Sequence, residues 1–318
     1  MKDCFFFGKL KGDLSVSINS KPKSSNRVRK VVIPVAGLGT RGLPFTKEVP
    51  KELLPIIDTP TIHFIVEEVI EAGIEQVIFV TSKGKHTLED YFDLSPNLEA
   101  WLRRRGKEAL ADKIHQIGQM VEVVSVRQKE PLGLGHAILC TRHIVGQERF
   151  AVCLGDEIFP HWGEKPAGSA LRSLVDTADR LESSVVGVVE VPASETTSYG
   201  IVDLGGQNLN VQPTAKVIRT VEKPKPEVAP SRYAIIGRYV FDPDLFGYLA
   251  EVKPGVGGEI QLTDGMDRLA QTDRLYAQRM SGCRYDIGNH FSYVKAQIDG
   301  ALQRPELAQR LREYLKSI

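Results

Sequence analysis

The chain has 318 residues, of which 42% are hydrophobic and 25% are charged. This length allows one large α/β domain or two small ones, and the apolar fraction is sufficient for a substantial core. Forty-one Lys and Arg residues against 40 Asp and Glu residues leave a formal net charge of +1, so the overall charge does not indicate binding to nucleic acid or to an anionic membrane. Any anion that binds must therefore be met by a local site.

The four cysteines, at positions 4, 140, 153 and 283, lack the spacing of a zinc site and the pattern of a secreted disulfide framework. No apolar run approaches the ~20 residues that a membrane-spanning helix needs. The short apolar stretch at 4–7 is followed by lysines rather than by a small-residue cleavage site, so it does not resemble a signal peptide. These features predict a cytoplasmic protein with reduced thiols and no membrane partner.

Residues 1–28 differ from the rest of the chain. The stretch 17–30 is rich in Ser, Lys, Asn and Arg and has no apolar period, which predicts a disordered tail. Such a charge run could dock a partner, but a solvated segment is the simpler interpretation.

From residue 31 onward, short β-branched runs alternate with helical patterns. Strands are predicted at 31–36, 76–80, 121–126, 150–154 and 184–189. Helices are predicted between them, at 61–72, 98–114, 136–143 and 171–181. This alternation predicts an α/β fold with a Rossmann-like, doubly wound mixed sheet, mostly parallel and flanked by helices, that binds ligands at the carboxyl ends of its strands.

The pattern changes between residues 200 and 241, where short strands at 201–203, 217–221 and 234–241 follow one another without a long helix. This predicts a small antiparallel region. Residues 291–318 read as a C-terminal helical segment, and its apolar stripe is expected to pack within the molecule. The stripe consists of Leu307, Leu311, Tyr314, Leu315 and Ile318.

Residues 37–42 form a G-x-G-x-x-G pattern after the first strand, and Asp58 lies where a ribose-binding acid would be expected. The pattern alone permits an NAD-dependent enzyme. That fold needs a helix directly after the glycines, but prolines at 44, 50 and 55 interrupt this segment. No such helix can form there, which makes a dinucleotide site an unfavourable interpretation.

A different anion site suits the same glycines. A glycine turn lets backbone N–H groups approach phosphate oxygens closely, and Arg41 and Lys51 add cations beside it. The segment therefore predicts a cradle for a nucleoside triphosphate. A plain surface turn with solvated cations is the alternative that the glycines alone would favour.

Several motifs then occur in a fixed order over residues 30–300. They lie at 36–41, 50–55, 126–128, 133–137, 154–157, 198–200, 221–224, 258–264 and 285–289. Together they resemble the bacterial UTP-glucose-1-phosphate uridylyltransferases of the sugar-phosphate nucleotidyltransferase superfamily. The sequence departs from that pattern at His290 and at the Phe291-Ser292 pair. The resemblance implies one nucleotidyltransferase domain at 29–300, with a nucleotide half at about 29–160 and a sugar half at about 184–290.

The resemblance also implies an activity. A uridylyl group would pass from UTP to glucose 1-phosphate by Mg²⁺-assisted in-line attack on the α-phosphorus, which requires no protein nucleophile. Relatives of this kind assemble as homodimers or homotetramers, so a homo-oligomer is expected.

Individual roles follow from the same resemblance. The catalytic residues would be Arg41, Lys51 and Lys223. The nucleotide-binding residues would be Ala36, Gly37, Gly39, Thr40, Glu52, Gln128 and Gly133. The sugar-phosphate-binding residues would be Asp156, Gly200, Glu222 and Lys223, and the metal ligands would be Asp156 and Asp286. Two carboxylates are sufficient for Mg²⁺, which takes its other ligands from phosphate and water.

Some interpretations stay open at this stage. The Gln128 amide could match uracil because it offers a donor and an acceptor, although a surface glutamine is equally consistent with that residue alone. Glu157 is expected to be a cap or turn residue and His136 a structural one. A thymidylyl- or cytidylyltransferase and a non-catalytic regulatory paralogue remain alternatives, although the retained cations and aspartates favour an active enzyme.

Overall fold

The structure is a computed structural model that describes residues 27–160, 162, 169–255 and 258–318. Nearly all of the predicted tail therefore lies outside the described residues. Its last two residues do not behave as a tail, since Val28 is fully buried in the core. Arg27 Nη2 donates a hydrogen bond to the carbonyl oxygen of Gly73 at 3.0 Å.

In chain order, the strands of the described part are β1 Lys30–Pro34, β2 Pro55–Ile56, β3 Thr59–Pro60, β4 Gln76–Thr81, β5 Glu122–Arg127, β6 Phe150–Cys153, β7 Glu157–Ile158, β8 Ser184–Glu190, β9 Gly200–Asp203, β10 Thr214–Lys216, β11 Arg219–Glu222, β12 Tyr233–Phe241, β13 Leu275–Arg279 and β14 Tyr285–Asp286. The α-helices are α1 Thr61–Glu71, α2 Thr87–Asp90, α3 Pro96–Arg104, α4 Glu108–Gly118, α5 Leu134–Leu139, α6 Arg142–Val145, α7 Ala170–Leu181, α8 Leu245–Glu251, α9 Leu262–Gln271, α10 His290–Leu302 and α11 Pro305–Ser317. Short 3₁₀ helices lie at Thr40–Gly42, Phe45–Lys47, Lys51–Leu53 and Ala193–Ser198.

The main sheet is mixed, with the order β10-β13-β8-β12-β6-β1-β4-β5. Strand β1 is parallel to β4 and β6, whereas β12 runs antiparallel between β6 and β8. The α/β class with a mixed sheet is thus confirmed. The predicted antiparallel region is confirmed as well, because β9 pairs antiparallel with both β11 and β12.

The sheet is buried on both faces, as β1 illustrates. Val31 and Ile33 pack into one apolar cluster, and Val32 between them packs into a second cluster. Successive side chains of a strand point to opposite faces, so a strand covered on both sides is apolar throughout. No helix in the described residues is long and apolar enough to cross a membrane.

Two helices that the sequence suggested are broken. The segment expected as one helix at 98–114 is divided into α3 and α4 near Gly106, which has φ 68°, a left-handed conformation that ends helices. The segment expected at 136–143 is divided into α5 and α6. The C-terminal stripe also differs, because Tyr314 is 60% and Ile318 85% exposed, so the end of the stripe does not pack against the described residues.

A buried ion pair joins the central sheet to the helices on one face. The guanidinium of Arg238, on β12, donates to Glu68 Oε2 from Nε at 3.0 Å and from Nη2 at 2.7 Å. Arg238 Nη2 also donates to the carbonyl oxygen of Glu157 at 2.8 Å. Both side chains of the pair are almost fully buried, and Glu68 Oε1 accepts from the backbone N–H of Leu171. The pair therefore links α1, α7, β7 and β12.

Replacing one partner of this ion pair should lower the stability of the fold. Arg238→Met leaves the Glu68 carboxylate buried without its cation, and we expect the free energy of unfolding to fall by about 3–5 kcal/mol. Urea unfolding monitored by circular dichroism measures this loss. The double variant Glu68→Met with Arg238→Met removes both charges and should recover most of the loss, whereas an equal loss in the double variant would contradict the ion-pair explanation.

Candidate active site

The glycine segment after β1 forms a tight turn rather than a helix start. Gly39 is left-handed, with φ 65°. Its carbonyl oxygen accepts from the Gly42 backbone N–H at 2.9 Å and from Thr46 Oγ1 at 2.7 Å. Three short 3₁₀ helices follow where a dinucleotide fold would need a long helix. The expectation that the prolines prevent such a helix is confirmed, and Asp58 instead pairs with Arg304.

Four charged side chains meet beside this turn. Lys51 Nζ lies 2.6 Å from Asp156 Oδ2, and the Arg41 guanidinium lies 3.7 Å from Asp156 Oδ2 and 3.8 Å from Asp286 Oδ2. Burial disfavours both charges of the Lys51–Asp156 pair, yet their mutual attraction outweighs it. The pKa of Lys51 is consequently raised and that of Asp156 lowered. Both groups stay ionised at neutral pH.

The two aspartates come together because β7 and β14 pair. Asp286 lies opposite Glu157 in this antiparallel ribbon, and Asp156 immediately precedes β7. The Ile287 backbone N–H donates to the Asp156 carbonyl oxygen at 2.8 Å. The Gly288 backbone N–H donates to Asp286 Oδ1 at 2.8 Å, which orients that carboxylate.

Glu157 is the first residue of β7 and forms an ion pair with Arg284, so it is not the cap or turn residue that was expected. Its carboxylate is bound by Arg284 through two contacts, of which Nη2 to Oε1 measures 2.6 Å. The Arg284 guanidinium lies over the Tyr199 ring, 5.3 Å from its centroid. Burial raises the pKa of the Glu157 carboxyl, and Arg284 opposes that rise.

Three cavities surround the charged cluster. Cavity A has a volume of about 530 Å³ and is lined by residues that include Arg41, Asp156, Gly200, Glu222, Lys223 and Asp286. Cavity B, of about 410 Å³, is lined by residues that include Ala36, Gly37, Lys51, Glu52, Gln128, Gly133 and Asp156. Cavity C, of about 640 Å³, is lined by residues that include Gly39, Thr40, Arg41, Lys51, Phe45, His290 and Tyr293.

In cavity A, Lys223 has a strained backbone with φ 45°, a left-handed conformation that is uncommon for a residue with a side chain. Its backbone N–H donates to the Tyr199 carbonyl oxygen at 3.0 Å. Its Nζ lies 3.3 Å from Glu222 Oε1, and Glu222 Oε2 accepts from Thr263 Oγ1 at 2.9 Å. Carboxylate and ammonium thus stand side by side on the wall of this cavity.

In cavity B, Glu52 is fully buried and is bound by Lys85, with Nζ to Oε2 at 3.2 Å. Glu52 Oε1 has no hydrogen-bond partner among the described residues. Burial raises the pKa of Glu52 and lowers that of Lys85. The side chain of Gln128 is held by its amide nitrogen, which lies 3.1 Å from the Gly133 carbonyl oxygen and 3.0 Å from His136 Nδ1.

All the site residues predicted from the sequence line one of these cavities, but they are divided among the three. Gly39 and Thr40 line cavity C and not cavity B, where Ala36 and Gly37 lie. Sequence reasoning missed Lys85 and Arg284. No local sequence pattern indicates a role for these two cations, because each pairs with a buried carboxylate that is distant in the sequence.

The described residues contain no group of three or more His, Cys, Asp or Glu side chains that could hold a metal ion. Asp156 and Asp286 provide two carboxylates on either side of a single guanidinium. Mg²⁺ commonly takes one or two carboxylates and completes its shell with phosphate and water. The donor set therefore fits a divalent cation that arrives with a phosphorylated ligand.

The glycine turn, the charged cluster and the three cavities are those of a protein that binds phosphorylated ligands. Residues 30–301 match the nucleotidyl transferase family, and the chain belongs to it. Over 293 residues it is 46% identical to the UTP–glucose-1-phosphate uridylyltransferase of Bacillus subtilis (strain 168), an alignment that covers 92% of this chain and 97% of that protein. Within the family, the chain belongs with the UTP–glucose-1-phosphate uridylyltransferases.

Solved structures agree with this assignment. A UTP-bound UDP-glucose pyrophosphorylase from Acinetobacter baumannii is 38% identical and superimposes with a TM-score of 0.83, covering 92% of this chain and 99% of that one. A UDP-glucose pyrophosphorylase complexed with UDP-glucose is 39% identical, with a TM-score of 0.77 over 87% of this chain and 100% of that one. The resemblance inferred from the motifs is thereby confirmed.

Gly133 should tolerate no side chain. Its φ is +91°, and an added Cβ would lie 2.9 Å from both Glu259 Cβ and the Ile260 carbonyl oxygen. We expect Gly133→Ala to combine backbone strain of about 1–3 kcal/mol, because φ 91° with ψ 176° is a region that essentially only glycine adopts, with a clash against the segment that closes cavity B. Gly84→Ala is the matched control, because Gly84 has φ +86° and nothing within 4 Å. Urea unfolding should show a clearly larger loss for Gly133→Ala, and equal losses would exclude the clash.

Proposed function

We propose that this protein transfers a uridylyl group from UTP to α-D-glucose 1-phosphate and forms UDP-glucose and pyrophosphate. The observation that carries the proposal is the meeting of Arg41, Lys51, Asp156 and Asp286 at the junction of cavities A and B. Two cations stand there beside two carboxylates that can hold a divalent ion. A nucleotide in one cavity and a sugar phosphate in the other would meet at this point.

Cavity B suits a uracil base because of how Gln128 is held. Its amide nitrogen contacts the Gly133 carbonyl oxygen and His136 Nδ1, so both amide hydrogens have acceptors within the protein when the His136 proton lies on Nε2. The amide oxygen is left to accept a hydrogen bond from a ligand. Uracil and thymine offer an N3–H donor, whereas cytosine has an acceptor at that position. The arrangement therefore favours UTP or dTTP over CTP.

Cavity A suits a sugar phosphate. Glu222 and the other carboxylates on its wall can accept hydrogen bonds from sugar hydroxyls, and Lys223 can pair with the phosphate. Gly200 leaves the wall open, because an added Cβ would lie 2.8 Å from Thr263 Cγ2 and 3.3 Å from Glu222 Oε2. Glucose 1-phosphate is the sugar phosphate in the name of the related uridylyltransferases.

The proposed reaction needs positioning and charge compensation more than proton transfer. The attacking phosphate oxygen is already an anion, so no general base is required. Lys51 and Arg41 would stabilise the negative charge that develops on the triphosphate. Lys223 would hold the attacking phosphate in cavity A. Mg²⁺, held by Asp156 and Asp286, would supply further charge neutralisation at the phosphate oxygens.

A thymidylyltransferase is the alternative that the Gln128 geometry leaves open, since thymine carries the same N3–H. A non-catalytic paralogue is disfavoured because Arg41, Lys51, Asp156 and Asp286 are all retained in one cluster and Lys223 is retained on the wall of cavity A. Pyrophosphate release by the purified protein with Mg²⁺ and glucose 1-phosphate, measured in parallel with UTP, dTTP and CTP, distinguishes these functions. We expect strong release with UTP and none with CTP. Preference for dTTP would indicate a thymidylyltransferase, and no release with any nucleotide would refute the catalytic proposal.

Asp286→Asn tests the metal assignment. Asparagine keeps the Oδ1 acceptor for the Gly288 N–H but loses the charge, so the fold should persist while kcat falls by at least about a hundredfold. Calorimetric titration with Mn²⁺ in the presence of UTP should show weakened metal binding as well. Asp93→Asn, a change at an exposed aspartate that lines none of the three cavities, is the control and should leave both measurements unchanged. Normal metal binding by Asp286→Asn would remove Asp286 from the proposed ligands.

A further inference from the structure

Cavity C differs from the other two cavities in charge. Its lining contains Arg41, Lys51 and His290 and no carboxylate. The lining of cavity A contains five acidic residues, and that of cavity B contains three. A highly charged anion without hydroxyl groups would therefore be repelled least, and attracted most, in cavity C.

The three cavities share their charged residues in pairs. Arg41 lines cavities A and C, Lys51 lines cavities B and C, and Asp156 lines cavities A and B. Since Lys51 Nζ and Arg41 Nη2 lie 2.6 and 3.7 Å from the same oxygen of Asp156, the cavities converge on one small region. A phosphorus atom bonded to three groups, each lying in a different cavity, would be located in this region.

In-line displacement at phosphorus imposes a matching geometry. The attacking and leaving oxygens lie on opposite sides of the phosphorus, and the nucleoside lies to the side. If the sugar phosphate attacks from cavity A and the nucleoside occupies cavity B, the leaving group departs into the remaining cavity. Arg41 and Lys51, which hold the triphosphate in the proposed function, line cavity C, so the pyrophosphate group would lie there. We infer that His290 is a further residue that binds this group. This inference rests on the proposed function.

His290 is free to take this role. It is the first residue of α10, is exposed, and its side chain forms no hydrogen bond or ion pair with the other described residues. Its ring nitrogens can donate to phosphate oxygens. The helix that carries it is fixed beside Lys51, because Tyr293 Oη donates to the Pro55 carbonyl oxygen at 2.9 Å. The imidazole thus lies on the wall of cavity C, and neither of its ring nitrogens is hydrogen-bonded to another described residue.

The reverse reaction tests the inference, since pyrophosphate is then a substrate. With UDP-glucose and Mg²⁺, His290→Ala should raise the KM for pyrophosphate by about threefold to tenfold, as expected for one lost hydrogen bond to an anion. The KM for UDP-glucose should change by less than about twofold, because that ligand occupies cavities A and B. His290→Lys keeps a donor at this position and should restore much of the affinity for pyrophosphate.

Lys47→Ala is the matched control. Lys47 is a neighbouring exposed cation whose ammonium contacts only Glu48, at 3.9 Å, among the described residues, and it does not line cavity C. Its loss should leave the KM for pyrophosphate unchanged. An unchanged pyrophosphate KM in His290→Ala, or an equal rise in the KM of both substrates, would overturn the assignment of His290.

A wild-type protein that turned over no substrate in either direction would refute the proposed function instead. The site itself is still tested in that case, because calorimetric titration with pyrophosphate and Mg²⁺ measures binding without turnover. Binding that His290→Ala weakens and His290→Lys restores supports the site. Equal binding by the wild type and by His290→Ala overturns it.

Discussion

The short pairing of β7 with β14 is the constraint on which the site depends. Asp156 and Asp286 belong to distant parts of the sequence, and this ribbon brings their carboxylates to the same guanidinium. The ribbon contains few residues, so its position depends on the contacts that its residue Glu157 makes with two arginines. Arg238 binds the Glu157 carbonyl oxygen and Arg284 binds the Glu157 carboxylate. A buried ion-pair network thus holds the polar site in register with the central sheet.

Much of the fold and of the site could be predicted from the sequence, because local patterns carried the information. The apolar run before Gly37 predicts a strand, and the prolines that follow exclude a long helix. Asp156 could be placed at the edge of the sheet because it follows a buried strand. Taken together, the motifs and their order along the chain identified the family. Each of these signals is contained in a few neighbouring residues.

The parts that could not be predicted depend on contacts between distant residues. Glu157 looked like a turn residue, because nothing near it in the sequence indicates that Arg284 will cover its carboxylate. Lys85 is marked only by the burial of Glu52, which a single sequence does not reveal. The split between α3 and α4 at Gly106 was missed because apolar residues occur at helical spacing on both sides of the polar stretch 103–108, and a single glycine is tolerated inside a helix. Tertiary contacts decided the first two cases, whereas the helix break depends on the left-handed conformation of a single glycine.

The C-terminal helices have a consequence for how the enzyme is made. Helix α10 is bonded to the segment after Lys51, since Gln297 and Tyr293 both donate to the Pro55 carbonyl oxygen and Arg304 pairs with Asp58. A chain that emerges from the ribosome from its N-terminus can form β1, β4, β5 and β6 early. It cannot bring Asp286 to Asp156, or fix the loop that carries Lys51, until these late residues have been synthesised. A nascent chain would therefore form this part of the sheet well before it could complete the charged cluster and perform any chemistry.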